Sequence, residues 1–357
     1  AELPAAKRAR SGAGAVAVVY TGEEGSLAHI AATRFCASEA GAELRGVASF
    51  AGAFKEVSDG TALYGVIPIE NSASGTLHKT YDLLVEHDVV IGGELGVREV
   101  YCLCAQPGVR LAAVRRVLSH PNILEACSSF IESRLAVSAR AGGADAGIEM
   151  VATQSTTEAA RRIAEMGRGE AADGGADAAG TSAAISTREA ATRHGLALVL
   201  EDIGDDAFLE TRYILIQRRG GPAVERLSPF PRDAANPVRK RSACFALGNE
   251  PGAIFRLLSC WALRKMDVLK VETRPLRAGH RAPPGLPPGL ARLWDYLFYV
   301  DYAVPPGHTA EANARLWDAL AEFSLWAKDL GAYPSQTTRR EKRAQSWADM
   351  VDIMAKS

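Results

Sequence analysis

Over the first two hundred positions, short β-branched apolar runs alternate with stretches in which apolar residues recur at helical spacing. That alternation predicts α/β units built around mostly parallel sheets. Residues 15–20 (AVAVVY) read as a strand buried on both faces, followed by a glycine-bracketed turn, 21–26, that opens a helix through Phe35. Backbone N–H groups at that helix start are placed to face an anion. Residues 64–69 read as another strand, ending in Glu70-Asn71-Ser72 and then Gly75-Thr76, at the carboxyl edge where open α/β sheets bind ligands. Further strands are expected at 89–91, 101–105, 116–118, 135–139 and 183–185, and the last of this region at 212–217 (RYILIQ).

Two stretches interrupt the pattern. Residues 167–181 are Gly/Ala/Asp low complexity, expected as a surface insertion, and 218–242 are rich in Pro, Gly and Arg, expected as a linker. Beyond the linker the pattern reads strand 242–247, helix 251–265, strand 268–274, strand 295–302, helix 309–327 and a short final strand near Leu330. This β-α-β-β-α-β order is ferredoxin-like, with the Pro/Gly-rich 278–289 as the loop between its middle strands and a charged tail after Pro334.

A chain of 357 residues predicts two domains or three small ones, and 47% hydrophobic with 23% charged residues excludes wholesale disorder. Forty-one basic against forty-two acidic side chains leave a net charge of -1, which provides no field for nucleic acid or anionic membrane. No run of 18 apolar residues occurs, so no membrane span is expected. The six cysteines show no CxxC and the seven histidines no HxH or HExxH, so buried reduced thiols are expected and neither metal nor disulfide framework is. No GxSxG elbow and no Walker A loop is present, and no cofactor is implied. Residues 1–14 are basic and rich in small residues, as in the remnant of an organellar transit segment, although an arbitrary end reads the same way.

Three constellations carry candidate chemistry: Glu70-Asn71-Ser72 with Thr76, Ser119-His120-Pro121, and Thr211-Arg212. An arginine fork beside hydroxyl and amide donors suits a small carboxylate, and a hydroxyl next to that cation can donate to a leaving oxygen. The alternative is structural, since Asn-Ser and Ser-His before Pro also serve as helix caps and Thr is a good strand residue.

Taken together, Tyr20-Thr21-Gly22 with Gly25, the runs 65–72 (GVIPIENS) and 75–84 (GTLHKTYDLL), Ser119-His120-Pro121 and Thr211-Arg212-Tyr213 resemble the successive motifs of prephenate dehydratases over about residues 15–217. Gly252-Ala253-Ile254 and Glu272-Thr273-Arg274-Pro275 are similar to the two effector segments of the regulatory ACT domain that follows in this family. The strings 78–84, 294–302 and 330–334 are closest to its plant and algal branch, the arogenate dehydratases of the plastid.

The resemblance implies an α/β catalytic region, 15–218, of two lobes (15–105 with 197–218, and 106–196) similar to a type II periplasmic-binding fold. A linker (219–241), a ferredoxin-like α+β ACT domain (242–335) and a tail (336–357) follow. It implies decarboxylative dehydration of arogenate or prephenate, L-phenylalanine as effector, a homo-dimer or tetramer, and a plastid location. By motif position, Thr211 would donate to the departing hydroxyl and Arg212 would hold a substrate carboxylate or order the cleft. Glu70, Asn71, Ser72, Thr76 and Ser119 would bind the substrate, while Gly252, Ala253, Ile254, Glu272, Thr273, Arg274 and Pro275 would bind the effector. No acid able to protonate hydroxide is in this set. The motifs are departed from at Leu27 and Ala28, where an aromatic and a hydroxyl are usual, at Asn122 and Ala126, near which glutamines are, and at Leu209, where Asn is. Each departure removes a hydrogen bond worth about 1 kcal/mol. Together they raise the alternative of a catalytically impaired, phenylalanine-binding regulatory subunit.

Overall fold

The computed structural model describes residues 16–39, 41–141, 147–169, 180–221, 227, 239–276, 284–286 and 295–335. Most of the segments 167–181 and 219–241, all of 1–14 and the tail from 336 lie outside these. Among the described residues the strands form three sheets.

The first sheet runs β2 (Ala42–Val47), β1 (Val16–Thr21), β3 (Tyr64–Asn71), β11 (Glu210–Arg218), β5 (Val89–Arg98), with the two-residue β4 (Gly75–Thr76) folded back on β3. Its first three strands are parallel, as the near-continuous apolar runs predict, while β11 returns antiparallel between β3 and β5. Helix α1 (Leu27–Phe35) buries Ala28, Ala31, Ala32 and Phe35 against one face. Helices α2 (Phe50–Ser58) and α3 (His78–Glu86) pack on the opposite side.

The second sheet runs β10 (Ala197–Leu200), β6 (Cys102–Ala105), β9 (Ser182–Ser186), β7 (Arg116–Ser119), β8 (Glu149–Ala152). Helices α4 (Pro121–Ala126), α5 (Ala136–Ala141), α6 (Thr156–Gly167) and α7 (Arg188–Arg193) belong to this lobe. The expected strand at 135–139 is helical: a π turn, Phe130–Leu135, runs into α5. Ile131, Leu135 and Ala139 are all buried, a spacing of four that a short apolar run does not distinguish from a strand until its neighbours are counted. Residues 102–105 and 197–200, assigned from the sequence to the first lobe, hydrogen-bond into the second sheet. The chain therefore crosses between lobes at 99–101 and 201–209. A strand next to a crossover is equally apolar whichever sheet it joins, so pattern alone cannot place it.

The third unit is the expected β-α-β-β-α-β: β12 (Arg239–Ala246), α8 (Ala253–Ala262), β13 (Val268–Pro275), β14 (Tyr296–Val304), α9 (Ala310–Phe323), β15 (Trp326–Pro334). Its sheet order β13-β14-β12-β15, antiparallel throughout, is ferredoxin-like. The helix expected to reach 327 ends at Phe323, because Ser324 is extended and the chain pairs with β12 from Trp326 onward in a nine-residue strand. Helices α8 and α9 cover one face through Trp261, Leu316 and Leu320. On the other face Cys244, Ala246, Leu297, Tyr299, Leu330 and Tyr333 form one apolar core with Ile67, Leu84 and Ile91 of the first lobe. Gly331 (φ +115°) permits this contact, since a Cβ there would sit 2.5 Å from the Ile91 carbonyl oxygen. The six cysteines are buried and unbridged. Among the described residues no helix is long and apolar enough to cross a membrane.

Candidate active site

Register decides which side chains meet. Thr211 of β11 stands opposite Asn71 of β3, and Arg212 stands opposite Glu70. Because successive side chains on a strand point to opposite faces, Thr211 and Asn71 share one face of the sheet while Arg212 and Glu70 share the other.

The Thr211 face opens into a cavity of about 790 Å³ between the two lobes, within the range of small-molecule sites. Apolar walls come from Leu27, Phe50, Pro68, Leu77, Ile123 and Leu209. At the floor Asn71 Nδ2 donates to Glu99 Oε1 (2.8 Å) and to Thr211 Oγ1 (2.9 Å), while Asn71 Oδ1 accepts from the N–H of Ala73 (2.9 Å) and Ser74 (3.0 Å). Thr211 Oγ1 and Glu99 Oε1 are hydrogen-bonded, and the Tyr101 hydroxyl donates to Glu99 Oε2. Burial, followed by the neighbouring Glu99, raises the Tyr101 phenol well beyond its ordinary range, so it stays a donor. Glu99 is 8% exposed and sits on the crossover out of β5, held there by its own N–H to the Leu209 carbonyl (2.8 Å). No motif marked it. The available signal was charge within an otherwise strand-like run, 89–105 (VVIGGELGVREVYCLCA).

The starts of α1 and α6, capped by Ser26 and Ser155, also line the cavity. Their first-turn N–H groups and positive dipole ends supply anion-binding character that side chains do not, because neither Lys nor Arg is among the lining residues. His120 lies on the wall with Nδ1 accepting the Asn122 N–H (3.3 Å). The lobes touch beside α1, where the Thr187 hydroxyl donates to the Gly25 carbonyl (2.6 Å). Gly25 (φ +93°) has no room for a side chain, since its Cβ would lie 2.9 Å from Ala190 Cα.

The other residues expected to bind substrate lie elsewhere. Arg212 is buried on the far face, its Nη1 donating to Glu94 Oε2 (2.6 Å) and Asp301 Oδ2 (3.2 Å), with Nη2 2.8 Å from Glu70 Oε2. Burial raises the Glu94 carboxyl, but Arg212 and Lys240 outweigh it and leave Glu94 at about 2. Glu70 is likewise held below its ordinary value, burial being outweighed by Arg212 and by Lys270, which donates to it (2.6 Å). The Thr76 hydroxyl donates to Glu272 Oε2 (2.6 Å) and accepts from Lys270 (2.7 Å). Ser72 Oγ accepts the Glu210 N–H (2.9 Å), tying the 71–74 turn to β11, and the buried Ser119 hydroxyl donates to the Ile185 carbonyl (2.8 Å). Of the residues expected to meet substrate, Thr211 and Asn71 line the cavity. Glu70, Thr76 and Arg212 join the first lobe to the third unit instead, because the strand alternation that aims their neighbours into the cleft aims them away from it.

The expected effector set divides similarly. Gly252, Ala253 and Ile254 line a pocket of about 200 Å³ with Asn249, Glu250, Asp295 and Tyr296, where Gly252 (φ +77°) caps α8. Glu272 and Arg274 instead face the first lobe, Arg274 forking onto both oxygens of Asp82 (3.0 and 2.8 Å). Thr273, between them, faces away and is exposed, and Pro275 pairs with Tyr296 at the strand end.

A family model described as prephenate dehydratase matches residues 18–221, both lobes and the whole cavity. The chain belongs to the prephenate dehydratase family. It is similar to an arogenate dehydratase/prephenate dehydratase of Arabidopsis thaliana described as chloroplastic, 33% identical over 90% of this chain and 74% of that protein. It spans 60–74% of the length of the first four plant relatives it matches. In fold it is like a prephenate dehydratase from Arthrobacter aurescens solved with L-Phe (TM-score 0.66, 23% identity, 96% of this chain and 100% of that one). It is equally like a structure described as a quorum-quenching acylase (TM-score 0.68, 23% identity, 91% and 100%). Family membership comes from the sequence matches, and these two likenesses establish the fold. Leu27, Ala28, Asn122, Ala126 and Leu209, expected from the sequence to be departures from the family motifs, all line the cavity.

Proposed function

We propose that this chain is a plastid enzyme that removes water and carbon dioxide together from arogenate or prephenate, giving phenylalanine or phenylpyruvate. The observation that carries the reading is the Thr211–Asn71–Glu99 cluster at the floor of the interlobe cavity, within the span of the family match. Aromatisation drives the reaction, so the protein has to bind the carboxylates, shield the ring and assist departure of hydroxide. The apolar walls suit the ring, and the N-terminal amides of α1 and α6 suit the carboxylates. The Thr211 hydroxyl is the group to donate to the leaving oxygen. Arg212 acts from behind the sheet, fixing β11 against β3 and β5 and so ordering the cleft.

L-phenylalanine is the effector this reading calls for, held near Gly252–Ile254, and the bound L-Phe of the Arthrobacter relative supports it. Self-association of the third unit is supported by Phe255, 74% exposed on α8, and Leu263, 81% exposed just beyond it. The test follows arogenate and prephenate in parallel through the absorbance of the aromatic product, with wild-type protein and Thr211→Ala. Turnover that the variant loses supports the dehydratase. No turnover of either substrate, with phenylalanine still bound, would replace it with the regulatory subunit.

A further inference from the structure

Thr211 has one proton to give, and its surroundings restrict where that proton goes. Its oxygen accepts from Asn71 Nδ2 at 2.9 Å, an amide that can only donate, and its remaining hydrogen bond is to Glu99 Oε1. If Glu99 is a carboxylate, Thr211 must spend its proton on Glu99 and presents none to the cavity. If Glu99 carries a proton on Oε1, that proton goes to Thr211 Oγ1 and the threonine proton is free to face the substrate. Glu99 Oε2 is occupied by the Tyr101 hydroxyl, which leaves Oε1 as the protonated oxygen. Among the described residues no Lys or Arg pairs with Glu99. The other carboxyl on the cavity wall, Glu125, is exposed on α4 and has no hydrogen bond to Thr211.

We propose that Glu99 is the source of the proton that leaves with the hydroxyl, delivered through Thr211. The inference rests on the dehydratase reading of the same cavity and supplies the acid that the motif residues lack. As the ring carboxylate departs as carbon dioxide, the electron pair of its C–C bond enters the ring and the ring C–O bond breaks. The leaving oxygen takes the Thr211 proton and becomes water, and Thr211 Oγ1 takes the Glu99 proton. Glu99 is left as a carboxylate and regains one proton from solvent after product leaves, so each turnover consumes one proton. In this scheme Glu99, although it lines the cavity, acts through Thr211 and not on the substrate itself, which makes it a positioning residue that also stores the proton.

The test uses Glu99→Gln, Glu99→Asp and Tyr101→Phe in the full chain, with kcat and KM measured across pH for arogenate and prephenate. Glutamine can still donate to Thr211 and free its hydroxyl, but it cannot release a proton, so it separates supply from orientation. The proposal expects wild-type kcat to fall on the alkaline side, and Glu99→Gln to lower kcat by about 10²-fold or more, leave KM within about threefold and show no such fall. Glu99→Asp should recover part of kcat together with that fall. Tyr101→Phe, which removes a donor to the carboxylate, should move the fall to higher pH, and this arm stands even if Glu99→Gln fails to fold. Full kcat in Glu99→Gln, an unaltered pH profile in Glu99→Gln or Tyr101→Phe, or a loss confined to KM would overturn the proposal while leaving the dehydratase standing. Wild-type protein that turns over neither substrate would remove both.

Discussion

Replacing Arg212 with Met distinguishes a substrate-binding arginine from one that holds two units of the chain together. In the native network Arg212, Lys240 and Lys270 are set against Glu94, Glu70 and Asp301. Methionine fills much of the volume and removes one cation, leaving three buried or half-buried carboxylates to two lysines. Glu94 retains Lys240 (2.7 Å) and Ser335 (2.9 Å), Glu70 retains Lys270, and Asp301 retains the Ser242 hydroxyl (2.6 Å). Removing one partner of a buried pair costs about 3–5 kcal/mol, and these surviving contacts favour the lower end. At about 2–4 °C per kcal/mol for a unit of this size, Tm should fall by roughly 6–20 °C. Steady-state kinetics below the variant's melting range should show KM for either substrate within about threefold of wild type. An arginine gripping a substrate carboxylate would behave in the opposite way, because losing a charged contact worth about 2–5 kcal/mol raises KM by roughly 30-fold or more. An unchanged Tm with a KM increase of that size would refute the placement of Arg212 behind the sheet.

Thr211→Val removes the proposed donor without its bulk and should lower kcat by about 10²–10³-fold while leaving the circular dichroism spectrum unchanged. Glu94, lowered from 4.5 to about 2, contributes about 3 kcal/mol that is fully present above pH 4.5 and lost as pH falls from 4.5 toward 2. Thermal melts through that window should therefore steepen in wild type relative to Glu94→Gln. Arg274→Ala breaks the fork onto Asp82 and should speed hydrogen exchange across α3, with a stability loss of about 2 kcal/mol. Gly331→Ala drives a Cβ onto the Ile91 carbonyl from a backbone conformation that alanine resists, and should lower Tm by separating β15 from β5.

The elements were far more legible in the sequence than the site. Runs such as 16–20 and 212–217 identify themselves by composition, and the β-α-β-β-α-β order of the third unit follows from pattern alone because each of its elements is long and regularly spaced. The errors fell on short runs, on allegiance and on one boundary: helix at 135–139, β6 and β10 in the second sheet, and α9 ending at Phe323 before a nine-residue strand. The site depends on register between strands 140 residues apart, which no local pattern encodes. Motif matching found Thr211 and Asn71, but it also gathered Glu70, Thr76 and Arg212, which lie next to cavity residues in sequence or on the same turn and point the other way. Glu99 belongs to no motif and becomes visible only when β5, β11 and the crossover are assembled.

The same alternation explains how one strand serves two purposes. On β11, Thr211 reaches the cavity floor and Arg212 reaches Asp301 of β14, so one peptide unit separates the proposed proton donor from the principal buried link to the third unit. Opposite them on β3, Asn71 and Glu70 repeat the division, one bonded to Thr211 and the other to Lys270 of β13. A strand held by ladder hydrogen bonds on both edges cannot rotate a single residue without disturbing its neighbours. Docking of the third unit and the geometry of the Thr211–Glu99 pair are therefore mechanically linked through two adjacent residues on each strand. The same coupling sets the floor of the cavity apart from its walls. The floor is constrained from behind by the buried ion pairs, whereas the side chains of Leu27, Ala28, Asn122, Ala126 and Leu209 meet only the cavity and their immediate packing.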